Sequence, residues 1–524
     1  MKEGLKVKRL LLMFLMAVML YSLPAAAAEK GTILYIPMDN RPVCLDYSVQ
    51  TMREAGWDVK VPPREYIASA DKNGDPEKMF AWLQENMPES LAVVASSDAL
   101  LYGGLVGSRT HEIPLEVIKE RAQMLLDLKK NYGNKLVYVF TTIMRSPKMS
   151  SAPVEPEYYA QWGSQIFRLG ALEDKLEAKE ITRKEVKELA ELRLAIPREI
   201  LEDMYSRRHN NIKATELLMH GVESGDFDYM LVGRDDTATY SQAHREARDL
   251  DILVNELPKE RIRFFAGADQ LGLLLLSRAS TRLQYHLPFV NTVYAPGTAG
   301  STIPSYEDDT VAVSAKHHIY AAGAIPVAAN KAAELTLALN TPSNGVTLEA
   351  SNAANNYTVT PETEKFTKKL HRLLDEGRNV AIADIKYGNG ADNALVSTLF
   401  KNGDAYRLTA YSGWNTAGNS LGFALAQGLL SDMYRSGAKD ELLNIRYLDD
   451  WAYQSNVRMR VYQELIWPNH WPNSGLNPEQ VKAAEERITS DIYEVAEPVM
   501  GTAVQKYRFT LPWQRMFEVY VAEK

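Results

Sequence analysis

Ile33-Leu34-Tyr35-Ile36 runs straight into Pro37-Met38-Asp39-Asn40-Arg41-Pro42. A short apolar run that stops at acids, amides or arginine is the recurring theme of the chain. Leu91 to Ala95 meets Ser96-Ser97-Asp98, then Tyr102-Gly103-Gly104. Leu136 to Phe140 leads to Arg145, and Tyr229 to Val232 leads to Arg234-Asp235-Asp236-Thr237. Ile262 to Phe265 meets Gly267-Ala268-Asp269-Gln270. Val380 to Ala383 meets Asp384, with Asn389, Asp392 and Asn393 beyond it. Leu408 to Tyr411 meets Trp414-Asn415-Thr416-Ala417-Gly418-Asn419. Ligands of α/β proteins bind beyond the carboxyl ends of parallel strands. Seven such ends facing one crevice point to an enzyme of small polar substrates.

Working outward, apolar β-rich runs alternate with amphipathic stretches from Gly31 to about Leu430, the pattern of repeated βα units. Further runs at Asp58–Val61, Thr292–Tyr294, Ile325–Ala328 and Leu335–Leu339 bring the expected strands to eleven. Their near-continuous apolar character implies a sheet covered on both faces. The fold expected is α/β, a TIM-barrel-like parallel sheet with a helical insertion at 156–225. The alternative is a doubly wound, two-lobed α/β arrangement, because eleven strands exceed the eight of a simple barrel. The insertion reads as a helical subdomain over the crevice or as a solvated hairpin. Residues 29–435 read as the catalytic-type domain and 436–524 as an α+β appendage.

Residues 1–28 read as a signal peptide: Lys2, Lys6, Lys8 and Arg9, an apolar stretch from Leu10 to Leu23, and a small-residue cleavage site at Ala26-Ala27-Ala28. The apolar stretch is short for a membrane span. The expected product is therefore secreted or extracytoplasmic, without a membrane span. Loss of this segment takes the formal net charge from -8 to -11, a poor balance for nucleic acid. Cys44 is the one cysteine, so a disulfide framework and a cysteine metal site are both excluded.

The chemistry expected centres on Asp235-Asp236. At a strand end both side chains reach a crevice, and two close carboxylates cannot ionise independently. One would serve as an acid for a leaving oxygen and the other as a charge beside a sugar ring. Alternatively Asp235 caps a helix and Asp236 pairs with Arg234 or Arg245. Asp269 is a helix cap or a third catalytic acid. Asp39, Asn40, Arg41, Asp98 and Arg145 are expected to bind substrate, although each arginine could instead buttress an acid. Asn389, Asp392, Trp414, Asn415 and Asn419 complete that expected set, with Trp414 as a stacking platform or a buried ring. No cofactor and no metal ligand set is expected, since the histidines lack zinc spacing, although the aspartates could gather a hard cation. The function expected is glycoside hydrolysis, with a non-catalytic carbohydrate-binding protein and a metal-dependent phosphate or ester hydrolase as alternatives.

With these strings assembled, the chain resembles the bacterial family catalogued as domain of unknown function 4127. The strings are Pro37 to Pro42, Asp98 through Gly104, Ile143-Met144-Arg145, Arg207-Arg208-His209-Asn210, Asp235-Asp236-Thr237, Gly267-Ala268-Asp269, Asn389-Gly390 and Trp414 to Asn419. Gln270 departs from the glutamate expected there. The resemblance implies one shared α/β architecture and no particular reaction.

Overall fold

The computed structural model describes residues 30–133, 135–149, 154–255 and 257–524; the signal segment expected at 1–28 lies outside them. Six strands make the first sheet: β1 (Thr32–Ile36), β2 (Asp58–Lys60), β3 (Ala92–Ser96), β4 (Leu136–Ile143), β5 (Tyr229–Arg234) and β6 (Ile262–Ala266). Seven more follow: β7 (Phe289–Tyr294), β8 (Ile325–Pro326), β9 (Leu335–Asn340), β10 (Leu348–Glu349), β11 (Val380–Asp384), β12 (Tyr387–Gly388) and β13 (Ala410–Ser412). The chain closes with β14 (Tyr507–Thr510) and β15 (Tyr520–Glu523), an antiparallel pair.

The strands do not close a barrel. They form two open parallel sheets, ordered β2-β1-β3-β4-β5-β6 and β13-β11-β9-β7-β8, with β10 and β12 as a separate short pair. The expectation of a TIM-barrel-like sheet is corrected accordingly. Each large sheet reverses its strand order beside its first strand, β1 or β7, as in doubly wound folds. The runs themselves could not decide between the two, because every parallel strand covered on both faces reads as continuously apolar.

Alternation along β1 shows why both faces are apolar. Leu34 and Ile36 enter one core cluster, while Ile33 and Tyr35 enter another. That second cluster also holds Leu337 and Leu339 of β9 and Ala381 and Ala383 of β11, so the two sheets share a common apolar layer. The helices Leu271–Leu283 and Ala417–Leu430 fill it. Leu271 to Ser277 and Ala417 to Gly428 are buried without interruption, as helices apolar all round must be. Gly422 lets them touch: a Cβ there would lie 2.3 Å from Gln270 Cγ.

The stretch between β4 and β5 carries three helices, Tyr159–Glu177, Arg183–Ala195 and Arg198–Glu223. A Thr182–Glu185 capping box starts the second of these. Asn477 caps the long helix Pro478–Met500, with Pro478 in its first turn. Among the described residues no helix is long and apolar enough to cross a membrane.

Candidate active site

The strand order of the first sheet reverses between the paired neighbours β1 and β3, and a cavity of about 270 Å³ opens beyond the carboxyl ends of that sheet. Asp39 enters it after β1, Arg145 after β4, Asp235 and Asp236 after β5, and Asp269 after β6. The second lobe adds Asn415, Thr416 and Asn419 after β13. The C-terminal segment returns to add Trp513, Arg515 and Phe517.

Two aspartate–arginine clusters organise the polar lining. In the first, Arg41 Nε donates to both carboxylate oxygens of Asp39 at 3.0 and 2.9 Å. Its Nη2 donates to Asp269 Oδ1 at 2.7 Å. One buried guanidinium thus ties the loop after β1 to the loop after β6. Trp414 Nε1 lies 3.4 Å and Asn415 Nδ2 3.5 Å from Asp269 Oδ2. Cys44 is packed against Arg41, its Sγ 3.4 Å from Nη2, and burial pushes the thiol well above its ordinary pKa.

In the second cluster Arg109 pairs with Asp235, and Arg145 Nη1 donates to Asp236 Oδ2 at 2.6 Å. Glu155 joins the arginines, accepting from Arg145 Nε at 2.6 Å and from Arg109 Nη1 at 3.3 Å. The helix Arg198–Glu223 braces both. Arg208 donates to the carbonyls of Met144 and Arg145 at 2.5 and 3.1 Å. Asn211 donates to Ser108 O at 2.8 Å, next to Arg109. The next helix after Asp235 is capped by Ser241, and Asp236 pairs with neither Arg234 nor Arg245, which hold Asp308 and Glu173.

The two neighbouring acids differ. Asp235 is buried, whereas 24% of the Asp236 side chain remains open. Burial raises the pKa of Asp236 and the Asp235 charge adds to the rise, against the pull of Arg145 and Arg109. Asp236 also adopts φ +38° and Asn415 φ +53°, a left-handed backbone that Asp and Asn tolerate better than other side-chain-bearing residues. These turns aim side chains from strand ends into the cavity.

Several expected site residues stand elsewhere. Asp98 lies beneath the floor, fully held by the Thr142 N–H and hydroxyl at 3.0 Å each. Burial pushes its pKa to about 7. Trp414 is 2% exposed and offers no stacking face; its ring is core, and its indole N–H points at Asp269. Asn40 stands beside the cavity and accepts from Trp513 Nε1 at 2.8 Å. Asn389 donates to Glu349 at 2.8 Å, away from the cavity. Asp392 caps the helix Asn393–Lys401 and binds Lys386 at 2.9 Å. It belongs with Asn340 and Asp384 to a buried network at the strand ends of the second lobe.

Arg109, Glu155, Trp513, Arg515 and Phe517 escaped the sequence reading. Arg109 carries one signal, its position just beyond the Gly103-Gly104 turn. Phe517 packs edge-on to Trp414 at 5.7 Å, and Arg41 lies 5.7 Å from the Trp513 ring centroid.

The second lobe reaches the cavity through Gly418. A Cβ there would lie 2.4 Å from Ala266 O and 3.0 Å from Glu307 Oε1. The bare backbone lets the first turn of Ala417–Leu430 lie on the end of β6, where Gly418 N donates to Glu307 Oε1 at 2.7 Å. Burial pushes Glu307 up to about 8. Asp450 anchors the preceding loop, accepting from Gly413 N at 2.8 Å.

Among the described residues no three His, Cys, Asp or Glu converge as a metal cage. The cavity aspartates are instead engaged by guanidinium groups.

Residues 33–522 match the family described as "Protein of unknown function (DUF4127)". The chain belongs to this family. No curated protein and no solved structure matches it. DUF4127 membership covers the strands of both sheets and the C-terminal segment, so the cavity is built wholly within the matched span.

Proposed function

We propose that the protein is a glycoside hydrolase with Asp236 as its proton donor. The observation that carries this reading is the unequal aspartate pair. Asp236 is partly open to the cavity and holds its proton more tightly than an ordinary aspartate, which suits a general acid near neutral pH. Its neighbour Asp235, paired with Arg109, is the charge placed beside a ring that becomes positive at the transition state. In the step proposed, Asp236 gives its proton to the glycosidic oxygen as the C–O bond breaks. Arg145, 2.6 Å from Oδ2, then steadies the new carboxylate, and water bonds to the cationic ring carbon and returns its spare proton to Asp236. Asp269, Asn415 and Asn419 supply hydrogen-bonding groups for sugar hydroxyls, and Trp513 and Phe517 supply apolar wall. The basic, apolar and small-residue order of residues 2–28 supports an extracytoplasmic substrate such as a cell-wall or environmental glycan.

The test is a panel of aryl glycosides and cell-wall fragments with wild type and Asp236→Asn. Turnover that falls by roughly 10²–10⁴-fold in the variant supports the reading; no turnover of any glycan by wild type removes it. A non-catalytic sugar-binding site is the second reading, favoured by the arginine engaged with each cavity aspartate. It predicts saturable glycan binding without product, retained in Asp236→Asn.

A further inference from the structure

A second hollow, of about 560 Å³, opens at the opposite end of the first sheet, where β4, β5 and β6 begin. Arg278 and Arg282 line it from the helix Leu271–Leu283, and Arg261 from the turn before β6. Arg278 is the unusual group. Its guanidinium carbon lies 3.5 Å from the Tyr229 ring centroid, and its Nη1 donates to Tyr320 O at 2.7 Å. Beneath it the Tyr229 hydroxyl is buried without a hydrogen-bond partner.

The surroundings do not neutralise this cation. Burial lowers the Arg278 pKa; Tyr229 and Tyr138 oppose the fall without cancelling it, and the neighbouring Arg263 and Arg282 charges add to it. Of the acids at the hollow, Asp228 is committed to Lys129 Nζ and to Val137 N, both at 2.8 Å. Glu260 lies on the exposed rim. His286 at the rim pairs with Glu334 at 2.8 Å. A sheltered guanidinium among like charges costs free energy unless an anion meets it. The negative end of the helix dipole explains a cation in the last turn, which is where Arg282 sits. That field fades within a turn, and Arg278 lies deeper in the helix.

We propose that this hollow binds a tetrahedral oxyanion, phosphate or sulfate in kind, on the planar fork of Arg278 with Arg261 and Arg282 at its mouth. Two donors of one guanidinium match two oxygens of such an ion. The ion is either free in solution or carried as a phosphoryl or sulfuryl group on a larger ligand.

Calorimetric titration of the full chain with inorganic phosphate, inorganic sulfate and tripolyphosphate, at constant ionic strength, separates these sources. Saturable one-site binding is expected, weakened roughly tenfold or more in Arg278→Met by loss of a charge-assisted contact. Tighter binding of the single ions assigns a free anion, and tighter binding of tripolyphosphate assigns a larger ligand. In oxyanion-free buffer Arg278→Met should unfold at a denaturant concentration no lower than wild type, because it removes a charge that nothing neutralises. Should that variant not fold, the rim variant Arg261→Ala/Arg282→Ala replaces it and should bind several-fold more weakly. No saturable binding by wild type, or equal binding by the variants, overturns the proposal. Clear destabilisation of Arg278→Met without oxyanion also overturns it, since the guanidinium would then be structural.

Discussion

Replacing Arg41 with methionine keeps most of the side-chain length and removes the charge that joins the loops after β1 and β6. Arg41 is 6% exposed, and its partners Asp39 and Asp269 are 1% and 5% exposed. It reaches them at 2.9 and 2.7 Å. Two carboxylates out of water would lose their shared cation. Removing one partner of a buried ion pair costs about 3–5 kcal/mol. Loss of the Trp513 contact adds about 0.5–2 kcal/mol. Against total stabilities of about 5–15 kcal/mol, this shift is large. The assay is guanidinium chloride unfolding at pH 7, followed by tryptophan fluorescence, with Trp513 beside the substituted position. The triple variant Arg41→Met/Asp39→Asn/Asp269→Asn removes the stranded charges and should regain most of the loss, because an unpaired charge costs more than an absent pair. A single variant within about 1 kcal/mol of wild type, or a triple variant no better than the single one, would refute the reasoning.

Gly418→Ala should destabilise by about 1–3 kcal/mol, because its Cβ meets Ala266 O at 2.4 Å; an unchanged denaturation midpoint would show that the second lobe does not press on β6. Stability should rise as pH falls from 8 to 6.5. Burial raises Asp98 to about 7, Asp384 to about 6, Asp449 to about 7 and Glu307 to about 8, so the folded state takes up protons in this window that the unfolded chain does not. The opposing loss from His318, lowered by burial to about 4, and from His111 and His317, also lowered by burial, is confined to the acid end of this window, near their ordinary 6.5, and a flat midpoint between pH 8 and 6.5 would contradict the sign. Glu155→Gln leaves the Arg109 and Arg145 charges less neutralised, so Asp236 should lose its proton more easily. The alkaline limb of the pH–rate profile should then move to lower pH, and an unmoved limb would separate Glu155 from the acid.

The strands were legible because burial on both faces of a parallel sheet requires apolar residues at every position. Each of the eleven runs holds a strand, from β1 at Thr32–Ile36 to β13 at Ala410–Ser412. Closure of the sheet was not legible from those runs. The discriminating signal lay in the helices Leu271–Leu283 and Ala417–Leu430, whose runs Leu271 to Leu276 and Leu421 to Ala426 are apolar on every side because each helix lies between a sheet and the other helix. Polar clusters at strand ends marked Asp39, Arg41, Arg145, Asp235, Asp236 and Asp269, since a parallel sheet brings its carboxyl ends together. The same rule brought Asn415 and Asn419 to the cavity from the end of β13, whereas Asp392 and Asn389, beyond the end of β11, stand outside its lining and are held by Lys386 and Glu349. Trp414 misled for another reason: an indole beside two asparagines reads alike whether it faces a ligand or donates inward to Asp269. Trp513 and Arg515 arrive by a return of the chain, with the Asn40 contact spanning 473 positions, and no local pattern encodes such a return.

The most direct test compares two glycosides in wild type and Asp236→Asn, one with an unactivated sugar leaving group and one with dinitrophenolate. A general acid matters where the leaving oxygen needs a proton and hardly at all where it does not. The variant should lose roughly 10²–10⁴-fold on the first substrate and little on the second. Equal losses on both substrates, or full activity on both, would contradict the assignment of Asp236 as the proton donor.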